Sequence, residues 1–315
     1  MNIGLIDVDG CGLKKSSIPF PNIALGKLAR WHRQNGDDVN WYNTFDHYDV
    51  VYMSKVFNFT PDYGYIINNT DKIVKGGTGY NITTTLPDEI DRLQPDYSMF
   101  PYIDSKTAYG FTTRGCIRSC KFCVVSQKEG MVRPYMDVEE IAIEGRTNLI
   151  LMDNNVLASD YGLEQMEKTI RRKYKVDYNQ ALDARLVTED IAELLARVKW
   201  LRYIRFGCDT PHQVEDCEKA IEKIRRHGYK KDFLLYCILL DDFGEAFSRI
   251  NYWREKADWK IVPYCQPFRD PNRLNTPPQW QKDLSRWVNR KEFYKSTEFK
   301  DFEPRKGFRC SEYFK

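Results

Sequence analysis

The chain reads as an α/β protein: a small strand–helix–strand domain, then six βα units forming an open barrel, then a basic, aromatic extension. Three observations predict this. Short β-type apolar runs alternate with helical stretches from residue 108 to residue 288. The first hundred residues show the same alternation on a smaller scale, which favours parallel strands with right-handed crossovers. The count stops at six units, two short of a closed eight-fold ring, so the barrel is open.

In chain order, Asn2–Val8 is a short apolar strand and Ile23–Gln34 a helix with apolar residues at Ile23, Leu25, Leu28, Ala29 and Trp31. Asp38–Trp41 and Asp49–Met53 are further strands, and Ile73–Gly79 is a strand running into a glycine turn. Pro87–Ile103, with its prolines and aspartates, reads as an irregular connector. The barrel strands are 108–113, 148–153, 176–181, 201–207, 233–239 and 260–265. The helices are 138–143, 162–173, 188–198, 211–226, 243–256 and 278–288. Thr188-Glu189-Asp190 has the capping residue and acidic first turn of a helix start, and His227-Gly228 is a helix stop. The expectation is therefore a Rossmann-like α/β domain over residues 1–103, a (βα)6 partial TIM-type barrel over 104–270 and an extension over 271–315. Arg273–Lys315 carries 11 Lys/Arg against 6 Asp/Glu, mixed with nine aromatic residues. That texture suits a packing extension or a nucleic-acid platform.

Composition excludes several classes. With 42% hydrophobic and 30% charged residues the 315-residue chain is globular, not disordered. No apolar run reaches the roughly 18 residues needed to span a bilayer. The opening Met-Asn-Ile-Gly-Leu-Ile-Asp lacks a basic region and an apolar core, so no secretory signal is read there and a cytoplasmic location is expected. A net charge of +3 makes no electrostatic case for or against nucleic acid.

Nine cysteines in a reducing compartment are not explained by disulfides. Six are scattered, and Cys208, Cys237 and Cys265 fall on strands, where a buried thiol is the plain reading and a barrel-facing one the alternative. The other three form Gly115-Cys116-Ile117-Arg118-Ser119-Cys120-Lys121-Phe122-Cys123, a C-x3-C-x2-C loop just after the first barrel strand. Soft thiolates select iron–sulfur clusters, zinc or Cu(I). Structural zinc takes four ligands, and neither a second cysteine pair nor a histidine pair at ligand spacing is present.

The cysteine spacing, the aromatic residue before the third cysteine and the strand ahead of the loop together resemble the radical S-adenosylmethionine (SAM) superfamily. The resemblance implies a [4Fe–4S] cluster held by Cys116, Cys120 and Cys123, with SAM on the fourth iron. It further implies reductive cleavage of SAM to a 5′-deoxyadenosyl radical that takes hydrogen from a substrate. It places Phe122 near the adenine, Asp153 and Asn154 at the SAM amino group, Arg185 at its carboxylate, Asp183 and Asp209 at ribose or substrate, and Gln266 in the turn that holds the adenine edge. An electron donor of the reductase or flavodoxin type is implied as partner. The substrate is open among small molecule, nucleotide and macromolecule, with nucleotide or nucleic acid slightly favoured.

The N-terminal domain, with Gly76-Gly77-Thr78-Gly79, resembles the cobalamin-binding domain of one radical SAM class. The first loop, Asp7-Val8-Asp9-Gly10-Cys11-Gly12, has no histidine to ligate cobalt, and cobalamin is not expected. A methylthiotransferase acting on tRNA would need a second three-cysteine set in this domain, which Cys11 alone does not supply. The rival from another class is a non-catalytic iron–sulfur binding or sensing protein.

Overall fold

The computed structural model describes residues 1–12, 20–240, 242–270 and 274–315. The chain divides into two compact units, 1–109 with 139–146 and 271–274, and 110–138 with 147–270 and 275–315. The expected start of the extension at residue 271 falls outside the described residues. Both units are mixed α/β with parallel sheets.

In the first unit, β1 (Asn2–Asp7), β2 (Asp38–Trp41), β3 (Tyr48–Ser54) and β4 (Thr70–Gly76) form one parallel sheet in the order β2-β1-β3-β4. Helix α1 (Ile23–Gln34) makes the β1–β2 crossover and starts at Asn22, whose side chain accepts the Leu25 N–H. Its buried stripe, Leu25, Leu28 and Ala29, packs on Ile3, Leu5 and Val39. The segment read as a connector instead contributes to this core. Around the single turn α2 (Asp88–Asp91), Ile90, Met99 and Phe100 are buried in the α1 cluster. Its prolines and aspartates shape turns at the edge of a hydrophobic layer that three apolar side chains complete. The glycine turn after β4 is as expected: Gly77 has φ +94°, and a Cβ there would lie 2.4 Å from the Lys55 carbonyl oxygen.

Strand β5 (Thr107–Gly110) ends at the unit boundary, and Gly110 accepts the Met152 N–H. The run expected as one strand over 108–113 is broken: β6 (Thr113–Arg114) turns away and pairs antiparallel with β7 (Arg133–Pro134), across the one-turn helix α3 (Val125–Lys128). After the short α4 (Val138–Ile141), β8 (Asn148–Leu151) pairs with β9 (Lys175–Tyr178). Helices α5 (Asp160–Arg171) and α6 (Glu189–Arg197) follow their strands. Thr188 caps α6 by accepting the Ile191 N–H. Strand β10 (Ile204–Gly207) is followed by α7 (His212–Arg226), β11 (Phe233–Leu239), α8 (Phe243–Glu255) and β12 (Ile261–Pro267), and the three strands pair in parallel. Bridges Val176↔Trp200 and Leu182↔Phe206 stitch β9 to the β10 side. Helix α9 (Gln279–Asn289) closes the free edge of β12, since Asn289 Oδ1 accepts the Cys265 N–H and its Nδ2 donates to the Cys265 carbonyl.

Beyond α9 and α10 (Lys291–Ser296) the chain winds back on α8. All nine aromatic residues of the extension touch another ring; Phe299 lies 5.3 Å from Trp287 and 5.7 Å from Phe247, and Phe314 lies 4.9 Å from Phe247. The packing reading of this segment accounts for those aromatics. Among the described residues no helix is long and apolar enough to cross a membrane.

Candidate metal centre

The cysteine loop is a tied excursion between β6 and β7. At its base Arg114 forks onto Glu129 at 3.0 and 2.6 Å, and the Cys116 N–H donates to the Gly130 carbonyl at 3.0 Å. Gly115 has φ +89°, and a Cβ there would lie 2.3 Å from the Met131 carbonyl oxygen, so only glycine fits this crossing. Within the loop Cys123 N–H donates to the Cys120 carbonyl at 3.0 Å. The three thiols are free and half-buried.

The end of β8 holds the loop from below. Asp153 is buried and accepts from both the N–H and the hydroxyl of Thr112 (3.1 and 2.6 Å) and of Thr113 (2.5 and 2.8 Å). Burial pushes its carboxyl upward despite those donors. Asn154 Oδ1 accepts the Gly115 N–H at 3.0 Å. Both residues expected at the SAM amino group are thus engaged in fastening the loop. The neighbouring Asn155, not singled out in the sequence, reaches the sulfur: its Nδ2 donates to Cys116 Sγ at 3.4 Å, and its buried Oδ1 has no partner among the described residues.

Asp183 lies against the same amide, its Oδ2 3.5 Å from Asn155 Nδ2. Its carboxylate accepts from Arg185 Nε at 2.6 Å and Nη2 at 3.1 Å and from Arg118 Nε at 3.0 Å. Burial works to raise its carboxyl, but the two guanidiniums outweigh it and hold it below the usual range. Two cations thus flank the Asp183 carboxylate, while Asp209 acts on Cys120 and Cys123 with the opposite sign. Arg185 also acts electrostatically on Cys120, whose thiol burial pushes up. Burial raises the Cys123 thiol as well, against the N–H of Val125. Asp209 accepts the Ile238 N–H at 2.8 Å, and burial pushes its carboxyl up to about 6. Gln266 Oε1 accepts from the Tyr236 hydroxyl at 2.9 Å on the face of β11 and β12 that carries Tyr264. Phe122 is half-buried in the turn between the second and third cysteines. The structure therefore gathers Arg118, Asn155, Asp183 and Arg185 around Cys116 and Cys120, and leaves Gln266 with Tyr236.

The strand thiols belong elsewhere. Cys208, Cys237 and Cys265 are buried together with Cys217 of α7, in the layer where Arg249 of α8 donates to the Cys208 carbonyl. That is the face of the sheet covered by α7 and α8.

Among the described residues, no three His, Cys, Asp or Glu side chains are gathered tightly enough to hold one metal ion. A cubane asks for a different arrangement, with each thiolate on its own corner, and metal binding commonly orders the loop that provides the ligands. The donor chemistry fits that group: three free thiols, N–H donors facing two of the sulfurs, and the Arg185 guanidinium acting on Cys120.

No protein-family profile matches the chain. It is similar to the tRNA-2-methylthio-N(6)-dimethylallyladenosine synthase of Marinomonas sp. (strain MWYL1), 25% identical over 218 residues, covering 67% of this chain and 41% of that protein. The chain thus matches less than half the length of that relative. This distant likeness to an enzyme agrees with the superfamily resemblance carried by the cysteine loop, and supports a radical SAM enzyme at that coarse level.

Proposed function

We propose that the protein is a radical SAM enzyme whose second unit is a (βα)6 partial barrel with its cofactors at the cysteine loop. The observation that carries the reading is the C-x3-C-x2-C loop itself, tied at both ends by β6–β7 and offering three free thiols, with no fourth cysteine close in sequence. Cys116, Cys120 and Cys123 would hold a [4Fe–4S] cluster. When bound, cluster and SAM supply one-electron reductive cleavage of a sulfonium carbon–sulfur bond.

The chain's own residues position and screen that chemistry. Asp153 and Asn154 hold the loop against the end of β8. Asn155 Oδ1 is the acceptor left open for an ammonium donor. Arg185 spends Nε and Nη2 on Asp183, so its remaining Nη1 is available to a carboxylate. Phe122 offers an apolar wall for the adenine, and Asp209 and Gln266 stand as ribose, adenine or substrate contacts. Cobalamin has no part in this reading. The electron donor is of the flavodoxin or reductase class.

The likeness to a tRNA-modifying enzyme supports a nucleotide or nucleic-acid substrate. It does not bring methylthio transfer with it, because Cys11 is the only cysteine in the first 103 residues. The test is anaerobic reconstitution with iron and sulfide, reduction by dithionite, and chromatography for 5′-deoxyadenosine after adding SAM. Wild type should form it, and Cys120→Ala should form none while keeping its circular dichroism. A cluster-loaded wild type that leaves SAM intact would sink the enzyme reading in favour of a binding or sensing protein.

A further inference from the structure

We propose that Asn155 is a positioning residue that sets the reduction potential of the cluster through the sulfur of Cys116; this rests on the cluster reading above. An asparagine just before a helical turn ordinarily spends its side chain on the turn's N–H groups. Asn155 precedes the turn Val156–Ala158 and makes no such cap. Its side chain points instead to a sulfur 39 positions earlier, with Nδ2 3.4 Å from Cys116 Sγ and 3.5 Å from Asp183 Oδ2.

The neighbours fix which way the amide faces. The Asp183 carboxylate, taking donors from Arg118 and Arg185, only accepts, and a cysteine sulfur ligating a cluster only accepts. The atom between them must therefore be the NH₂ group. Arg118 N–H donates to the same sulfur at 3.3 Å, and the Arg118–Asp183 pair at 3.0 Å holds that backbone in place. Cys116 thus receives one backbone donor and one side-chain donor, whereas Cys123 receives the Val125 N–H and Cys120 faces the charge of Arg185. Reduction adds negative charge to a cluster and its sulfurs, so N–H donors stabilise the reduced state more than the oxidised one. Asn155 is the side-chain member of this set. Removing its N–H should make the cluster harder to reduce.

The experiment is a redox titration followed by electron paramagnetic resonance, on anaerobically reconstituted full-length protein without SAM. Iron and sulfide are counted first. Asn155→Leu, close in shape and without a donor, should assemble the cluster and show a midpoint more negative than wild type. Asn155→Asp, which puts a charged acceptor in the donor's place, should be more negative still. An assembled Asn155→Leu cluster with the wild-type midpoint overturns the proposal. Should that variant take up no iron, Asn155→Asp decides: a lowered midpoint supports the proposal and an unchanged one overturns it. Iron loss in both folded variants also counts against it, because a tuning contact shifts a potential without abolishing assembly. A wild type that assembles no cluster defeats the underlying cluster reading instead.

Discussion

Replacing Gly115 by alanine puts the loop's construction under a direct test. The residue sits at φ +89°, a conformation that costs an L-residue about 1–2 kcal/mol. The added methyl would also meet the Met131 carbonyl oxygen at 2.3 Å and the Gly130 carbonyl oxygen at 2.8 Å, both backbone atoms that cannot swing aside as a side chain does. Overpacking of this kind costs about 1–3 kcal/mol. The strand can escape by lifting, but Arg114–Glu129, the Thr113–Asp153 bonds and the β6–β7 pairing all resist it. Either way the hydrogen bond from Cys116 N–H to Gly130 is strained or lost. Gly130→Ala is the internal control: φ there is +70° with nothing within 4 Å, so that variant carries the conformational cost alone. Urea denaturation of the apoproteins and iron per chain after reconstitution give two readouts. Gly115→Ala should be less stable than Gly130→Ala by about 1–3 kcal/mol and should hold less iron than Gly130→Ala or wild type. Equal stability of the two variants with full iron in both would refute the reasoning.

Two further outcomes follow from burial. Phe299 is 1% exposed against Trp287, Phe247, Phe243 and Tyr313, so Phe299→Ala should cost about 3–5 kcal/mol in thermal or urea unfolding, whereas Lys300→Ala on the surface should stay within about 0.5 kcal/mol; equal effects would mean that the extension does not pack as described. Asp209 keeps its proton up to about pH 6 in the folded chain, whereas the unfolded chain releases it near 3.8, so folding takes up a proton across that window and stability falls as pH rises through it. Asp209→Asn removes this dependence, and its advantage over wild type in urea denaturation should grow by about 1–3 kcal/mol between pH 4 and pH 7; a constant difference would refute the buried carboxyl.

The alternation that predicted parallel strands is a local signal, and the elements follow it closely where packing agrees. The strand expected over 233–239 is β11 residue for residue, and the cap expected at Thr188 is in place. Departures occur where a distant partner overrides the local pattern. The apolar run 108–113 does not stay one strand, because Thr112 and Thr113 are drawn off to Asp153, about forty positions away. The turn residues of the proline-rich stretch 87–103 read as a connector, yet Ile90, Met99 and Phe100 belong to a core whose other members lie in α1, β1 and β2.

The candidate site divides along the same line. Its sulfurs stand within eight residues, so their spacing alone exposes them to a reader of the sequence. The residues around them come from the end of β8 and the segment after β9, and which polar side chain there remains open depends on which is already engaged. Asp153 is the stronger acceptor by residue type and Asn154 the equal of Asn155, but Thr112, Thr113 and Gly115 occupy them. Asn155 is left with an oxygen that has no partner among the described residues and a nitrogen against sulfur. A polar triplet at a strand end therefore announces a site, and hydrogen-bond accounting in three dimensions selects the member that faces it.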